Sequence, residues 1–124
     1  MVVERHLDRV ADRLPATADG LKPATDASDA VVLHLWQATQ VAIDLGTAAC
    51  LHFKLAASYA DAFQRLADAG VINRELASRL GRAAGFRNVV AHAYDQLDMV
   101  RVFRAAREGP ADLRAFLAAL RDKL

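Results

Sequence analysis

Cysteine is almost missing from the 124 residues: Cys50 stands alone, which excludes an internal disulfide and a zinc cluster built from this chain's thiols. Three prolines, six glycines and few β-branched runs argue against a sandwich or barrel. Long apolar runs are missing too. No stretch reaches the roughly 18 uncharged apolar residues of a membrane span, and Met1 opens no basic-then-apolar leader, so the expected compartment is the cytoplasm. There is no glycine-rich phosphate loop, no Cys/His set at metal-ligand spacing and no local Ser/His/Asp arrangement, so neither metal nor cofactor is expected. What is present is a helix-forming mixture. Hydrophobic residues make up 54% and 27 residues are alanine, enough to build the core of one domain spanning residues 1–124.

A net charge of +1 conceals an asymmetry. Residues 1–70 carry 6 basic and 9 acidic side chains, whereas residues 71–124 carry 10 basic and 6 acidic ones. The C-terminal half is therefore the side expected to meet an anion such as a phosphate backbone, the alternative being a mixed solvated surface.

Apolar spacing predicts an all-α, up-and-down bundle of about five to six helices. Val3, Leu7, Val10 and Leu14 lie on one face of a first helix that Pro15 stops. Residues 15–28 (PATADGLKPATDAS) read as a loop. From Asp29 to Lys54 two adjacent apolar stripes, one beginning with Val31, Leu35 and Ala38 and the other with Val32, Trp36 and Thr39, leave only a narrow polar face, and a helix of that kind must be covered on more than one side. A second copy of the chain is a natural cover, so a homodimer is expected. Ser58 with Asp61 resembles a capping box for a short helix whose inner face holds Tyr59, Phe63 and Leu66. Gly70 is placed to end that helix and Asn73 to cap the next, which runs through Ile72, Leu76, Leu80, Ala83, Arg87 and Val90. Gly81 and Gly85 inside it would permit a close backbone approach. Asp95 is positioned to cap a fifth helix, and Gly109-Pro110 to separate it from a sixth carrying Leu113, Phe116, Leu117, Leu120 and Leu124.

Among the polar residues, His34 and His52 share a helical face but lie about 27 Å apart at 1.5 Å per residue, too far for one metal. They read as packing or surface histidines. The segment Gly85-Phe86-Arg87-Asn88-Val89-Val90-Ala91-His92-Ala93-Tyr94 is different. It sets Arg87 on an apolar stripe, where an unpaired guanidinium is costly, and follows it with a histidine able to titrate near neutral pH. Tyr94 falls two turns beyond Arg87 and about 20° round the helix, whereas His92 falls about 140° round unless the helix loosens near Ala91. Asn88 and His92, four residues apart, are within mutual reach. Pattern alone leaves a structural role open for this trio.

The Arg-x4-His-x-Tyr string, preceded by Gly-Phe and followed by an acidic residue, resembles the signature of HepT-like proteins of the HEPN superfamily. The similarity extends over about residues 30–124, through Ala42-Ile43-Asp44-Leu45, Tyr59-Ala60-Asp61-Ala62-Phe63 and the run from Leu66 to Leu76. It weakens before Val31, and His34-Leu35-Trp36-Gln37 stands where the family often carries acidic residues. The resemblance implies the toxin of a type II/VII toxin–antitoxin pair: an all-α homodimer that cuts RNA without a metal. Its partner would be an MntA-like minimal nucleotidyltransferase, which silences the toxin by adding AMP to the motif tyrosine. Carried onto this chain, Arg87 and His92 would be catalytic, Asn88 a helper and Tyr94 the modified residue.

Metal-free cleavage of RNA needs a base for the 2′-hydroxyl proton, an acid for the leaving 5′-oxygen and a cation for the charge on phosphorus. One motif supplies one histidine and a two-fold dimer supplies two. Arg101, Arg104 and Arg107, at three-residue spacing, are candidates for a basic strip that meets RNA phosphates, a solvated face being the alternative. Two other function classes compete with the ribonuclease. One is a non-catalytic helical partner that binds nucleotide or docks a nucleotidyltransferase, and the other is a plain dimerisation module.

Overall fold

The computed structural model describes residues 2–23, 25–55, 58, 61–93 and 96–123, with Val2, His92 and Ala93 placed by their backbone alone. The described residues form five α-helices: α1 (Val2–Arg13), α2 (Asp26–His52), α3 (Ala62–Asp68), α4 (Arg74–Ala93) and α5 (Met99–Lys123), with a 3₁₀ turn at Ala18–Gly20 between the first two. The described residues contain no strand, and the all-α bundle expected from spacing is the fold.

α1 buries Val3, Leu7 and Val10, the predicted face, and Leu21 follows them into the core from the connection. α2 starts at Asp26, three residues before the expected point. Thr25 caps it: its hydroxyl accepts from the Ser28 N–H at 3.2 Å, while the Ser28 hydroxyl accepts from the Thr25 N–H at 3.1 Å. A serine does here what glutamate or glutamine does in the usual reciprocal cap, which is why the spacing reads as loop. At its other end, Leu55 N–H bonds to Cys50 C=O at 2.8 Å and Lys54 N–H to Leu51 C=O at 3.1 Å. Lys54 takes the left-handed conformation of that turn (φ 59°), a place more often given to glycine. Gly70 (φ 79°) fills the equivalent place after α3, as expected. Asn73 caps α4, its side-chain oxygen accepting from the Leu76 N–H at 2.7 Å.

α2 is the centre of the bundle. α1, α3, α4 and α5 all pack on it, so the chain itself covers the broad apolar girth that suggested a second copy. Two apolar clusters result. The larger joins α2 and α3 to the halves of α4 and α5 that hold Leu76, Leu80, Phe116 and Leu120. The smaller gathers Val10, Leu21, Val31, Leu35, Val90, Val102 and Phe103. Two other glycines admit a close neighbour: Gly20, where a Cβ would lie 2.8 Å from the Pro15 Cβ, and Gly46 in α2. A Cβ there would lie 3.1 Å from the Phe63 ring, which itself meets Phe116 edge-on at 5.3 Å. Gly81 and Gly85 are exposed, and a Cβ at either would meet no described residue within 4 Å.

Two expectations about the C-terminal region are corrected. Asp98 caps α5, accepting from the Val100 N–H at 2.9 Å, and the expected cap Asp95 lies outside the described residues, as do Tyr59 and Leu124. The predicted fifth and sixth helices are one, running unbroken through Gly109 and Pro110. An interior proline costs about 3 kcal/mol, but each large apolar side chain buried returns about 1.5–3 kcal/mol. Phe103 on one side of Pro110 and Leu113, Phe116 and Leu117 on the other are all buried. Ion pairs fasten α5 to its neighbours at the surface, Arg114 to Glu4 of α1 at 3.0 Å and Arg79 of α4 to Asp112 at 2.8 Å.

α1 and α2 also meet through a histidine pair. The Nδ1 atoms of His6 and His34 are 2.9 Å apart, within hydrogen-bond distance. Burial, then His6, Arg9 and Arg13, push His34 below its ordinary value of 6.5. The unfolded chain therefore binds more protons than the folded one as pH falls below 6.5, so the stabilisation present above that value is lost toward the lower folded pKa. The melting temperature should fall between about pH 7.5 and about pH 5.5, and His34→Gln should flatten that fall. An equal fall in the variant would contradict this origin.

Candidate active site on α4

Arg87 reaches its place because α4 is unbroken. The stripe that buries Leu76, Leu80 and Val90 also carries position 87 toward α2, and the side chain ends half-buried. Its guanidinium carbon sits 5.4 Å from the centre of the Trp36 ring, a cation–π contact. Nη1 donates to the Asn88 side-chain oxygen at 2.9 Å. Nε is buried and meets no hydrogen-bond partner among the described residues. The contacts with Trp36 and Asn88 fix the direction of the guanidinium. Among the described residues no carboxylate forms an ion pair with it.

The helix does not loosen near Ala91, since α4 continues to Ala93. Position 92 therefore lies about 140° round the axis from position 87 and about 7.5 Å along it. Arg87 and His92 do not fall on one face of a single chain. The side chain of His92, and Tyr94 altogether, lie outside the described residues. Asn88 is the predicted site residue that meets Arg87 directly. Trp36 went unnoticed because its place in an apolar stripe gave it a core role. The signal was there: one tryptophan in the chain, facing a stripe interrupted by one arginine.

The predicted basic strip divides. Arg101 and Arg104 line a cleft of about 400 Å³ between α2, α4 and α5, together with Arg79 and Arg82 of α4. Arg107 is exposed and does not line it. Three-residue steps turn back by about 60° each, so Arg107 lies about 120° from Arg101, and Glu108 takes the place in the cleft that Arg107 was expected to hold. Arg79 is occupied by Asp112 and Glu75, the bond to Asp112 being the first cause of its raised pKa. No three histidine, cysteine or acidic side chains among the described residues gather as a metal site.

A half-buried arginine of α4 packed on tryptophan, inside an Arg-x4-His-x-Tyr string, marks this all-α bundle. The model of the family described as ribonuclease HepT-like matches residues 3–120, and the chain belongs to the HepT-like family. Solved structures show the same fold. The tri-AMPylated HEPN toxin of Shewanella oneidensis, in complex with MNT antitoxin, superposes with a TM-score of 0.85 at 21% identity, over 98% of this chain and 92% of that one. A toxin–antitoxin crystal structure with AMP-PNP gives 0.87 at 21% identity and the same coverage. A toxin–antitoxin MntA-HpeT mutant gives 0.84 at 22%, over 98% and 93%. No curated protein matches the sequence closely enough to serve as a relative.

The Trp36–Arg87 contact can be measured without any assumption about activity. A double-mutant cycle of Trp36→Leu and Arg87→Ala on urea unfolding should give a coupling of about 1 kcal/mol, as for a partly desolvated cation–π pair. Additive effects would mean that the two side chains do not interact.

Proposed function

We propose that the protein is the toxin of a toxin–antitoxin pair, a metal-independent endoribonuclease that works in the cytoplasm as a homodimer of single-domain chains spanning residues 1–124. Its partner is an MntA-like nucleotidyltransferase, which silences it by adding AMP to Tyr94. The observation that carries this reading is Arg87: a guanidinium held in place by Trp36 and Asn88, inside the motif the family is known by. Membership of a family described as ribonuclease HepT-like supports the activity. The AMP-bearing toxin in complex with MNT antitoxin supports the partner and the modification.

In this mechanism one His92 takes the proton of a ribose 2′-hydroxyl, whose oxygen attacks the adjacent phosphorus. The bond from phosphorus to the 5′-oxygen breaks, and His92 of the second copy, as imidazolium, gives that oxygen a proton. The products are a 2′,3′-cyclic phosphate and a 5′-hydroxyl. Arg87 faces the charge that builds on the phosphoryl oxygens, where its planar fork suits two of them, and Asn88 helps to hold it. The angle of about 140° between positions 87 and 92 on an unbroken α4 favours a site shared between two chains. Exposed apolar side chains accompany the motif: Leu33 is one turn from Trp36, Val89 lies between Arg87 and His92, and Val100 opens α5. A second copy would cover them. Arg101 and Arg104 bring positive charge toward the strand, and Arg107 extends it on the open surface. AMP on Tyr94 would place a phosphate beside Arg87 and a nucleoside where RNA must lie.

Purified protein should cleave RNA in the presence of a chelator. His92→Ala should lower the rate by about 10²–10⁴-fold with the fold intact, and Arg87→Ala should abolish cleavage. Tyr94→Phe should take up no AMP from ATP and the partner, read by peptide mass mapping. Unchanged cleavage in His92→Ala would refute the assignment. AMP transfer to a protein that never cuts RNA would favour the non-catalytic partner instead.

A further inference from the structure

We propose that the cleft between α2, α4 and α5 is a subsite for one nucleoside phosphate unit, with the base on Phe86 and the phosphate on Arg82, Arg101 and Arg104. Two kinds of surface meet there. The floor is apolar, made by the buried Leu35 and Leu113 with Phe86 half-buried beside them. The wall is cationic. Arg79 is neutralised by Asp112 and Glu75, but Arg82, Arg101 and Arg104 form no ion pair with any described residue. Three unneutralised guanidiniums beside an apolar floor suit a ligand with an anionic end and a flat, poorly hydrated body. A volume of about 400 Å³ is within the usual range for a small-molecule site.

The polar lining narrows the choice of base. The Thr39 hydroxyl spends its proton on Leu35 C=O at 2.8 Å and offers the cleft only an acceptor. Glu108, which forms no ion pair with any described residue, is a second acceptor. A lining that accepts hydrogen bonds favours bases with an exocyclic amino group, namely adenine, cytosine and guanine, over uracil. Phe86 immediately precedes Arg87, so the cleft and the proposed catalytic arginine share one turn of α4. The unit has two sources, a free mononucleotide or one residue of an RNA strand. The second deepens the ribonuclease reading and rests on it, whereas the binding itself does not.

The test is titration calorimetry of the full chain carrying His92→Ala with AMP, UMP and ribose 5-phosphate, paired with fluorescence anisotropy of a labelled oligoribonucleotide. AMP should bind about tenfold more tightly than ribose 5-phosphate, and Phe86→Leu should remove most of that advantage. Glu108→Gln should narrow the preference for AMP over UMP. Replacing Arg82, Arg101 and Arg104 with Gln should abolish mononucleotide binding. In the same variant the salt slope of oligonucleotide binding should drop by about 0.7 for each phosphate that the arginines no longer neutralise. Saturable AMP binding identifies a free nucleotide as occupant. Binding of the oligonucleotide alone, with the same dependence on Phe86 and the arginines, identifies the RNA strand. Equal binding of ribose 5-phosphate and AMP, or an unaffected triple variant, would overturn the subsite. A wild-type protein that binds but never cuts would refute the ribonuclease and leave the cleft standing.

Discussion

A helix of 27 residues with apolar side chains on almost every side has to be covered, and covering α2 is the constraint on which the other elements depend. α1, α3, α4 and α5 surround it because each has an apolar stripe that gains most by lying against it. Gly46 lets Phe63 and Phe116 close over its middle. The same pressure accounts for the unbroken α5, since burial on both sides of Pro110 outweighs a proline's cost. It also accounts for an arginine on an inner stripe: α4 must turn that stripe toward α2, and Arg87 travels with Leu80 and Val90.

That placement bears on the proposed chemistry. A free surface arginine would swing through many rotamers and lose entropy on meeting a phosphate. Arg87 has spent that entropy in folding, against Trp36 and Asn88. Such preorganisation is the usual source of electrostatic catalysis. The positive excess of the C-terminal half finds a use nearby, because Arg82, Arg101 and Arg104 gather on one cleft while Arg79 and Arg114 serve as ties between helices.

Much of this was legible in the residues. Periodicity located the helices, Gly70 and Asn73 marked their ends, and the position of Arg87 on an apolar stripe gave its half-burial. What failed did so for physical reasons. Thr25 and Ser28 cap α2 with a serine in the place where glutamate is the familiar sign. Gly109-Pro110 reads as a stop because local cost is visible in sequence while tertiary burial is not. Gly81 and Gly85 have the spacing of close-approach glycines, but among the described residues that role falls to Gly20 and Gly46. Arg107 left the cleft to Glu108 because spacing by three drifts round a helix. Trp36 was placed in the core because a ring that carries a cation and a ring that fills space have the same periodicity.

The central claim is that cleavage needs His92 from two copies, and mixed dimers test it most directly. Wild-type protein and the His92→Ala variant, unfolded and refolded together in varying proportion, give dimers in binomial ratio. If base and acid come from different chains, activity follows the square of the wild-type fraction, about one quarter at equal amounts. Activity in direct proportion to the wild-type fraction, about one half at that point, would show that each chain works alone and would contradict the account.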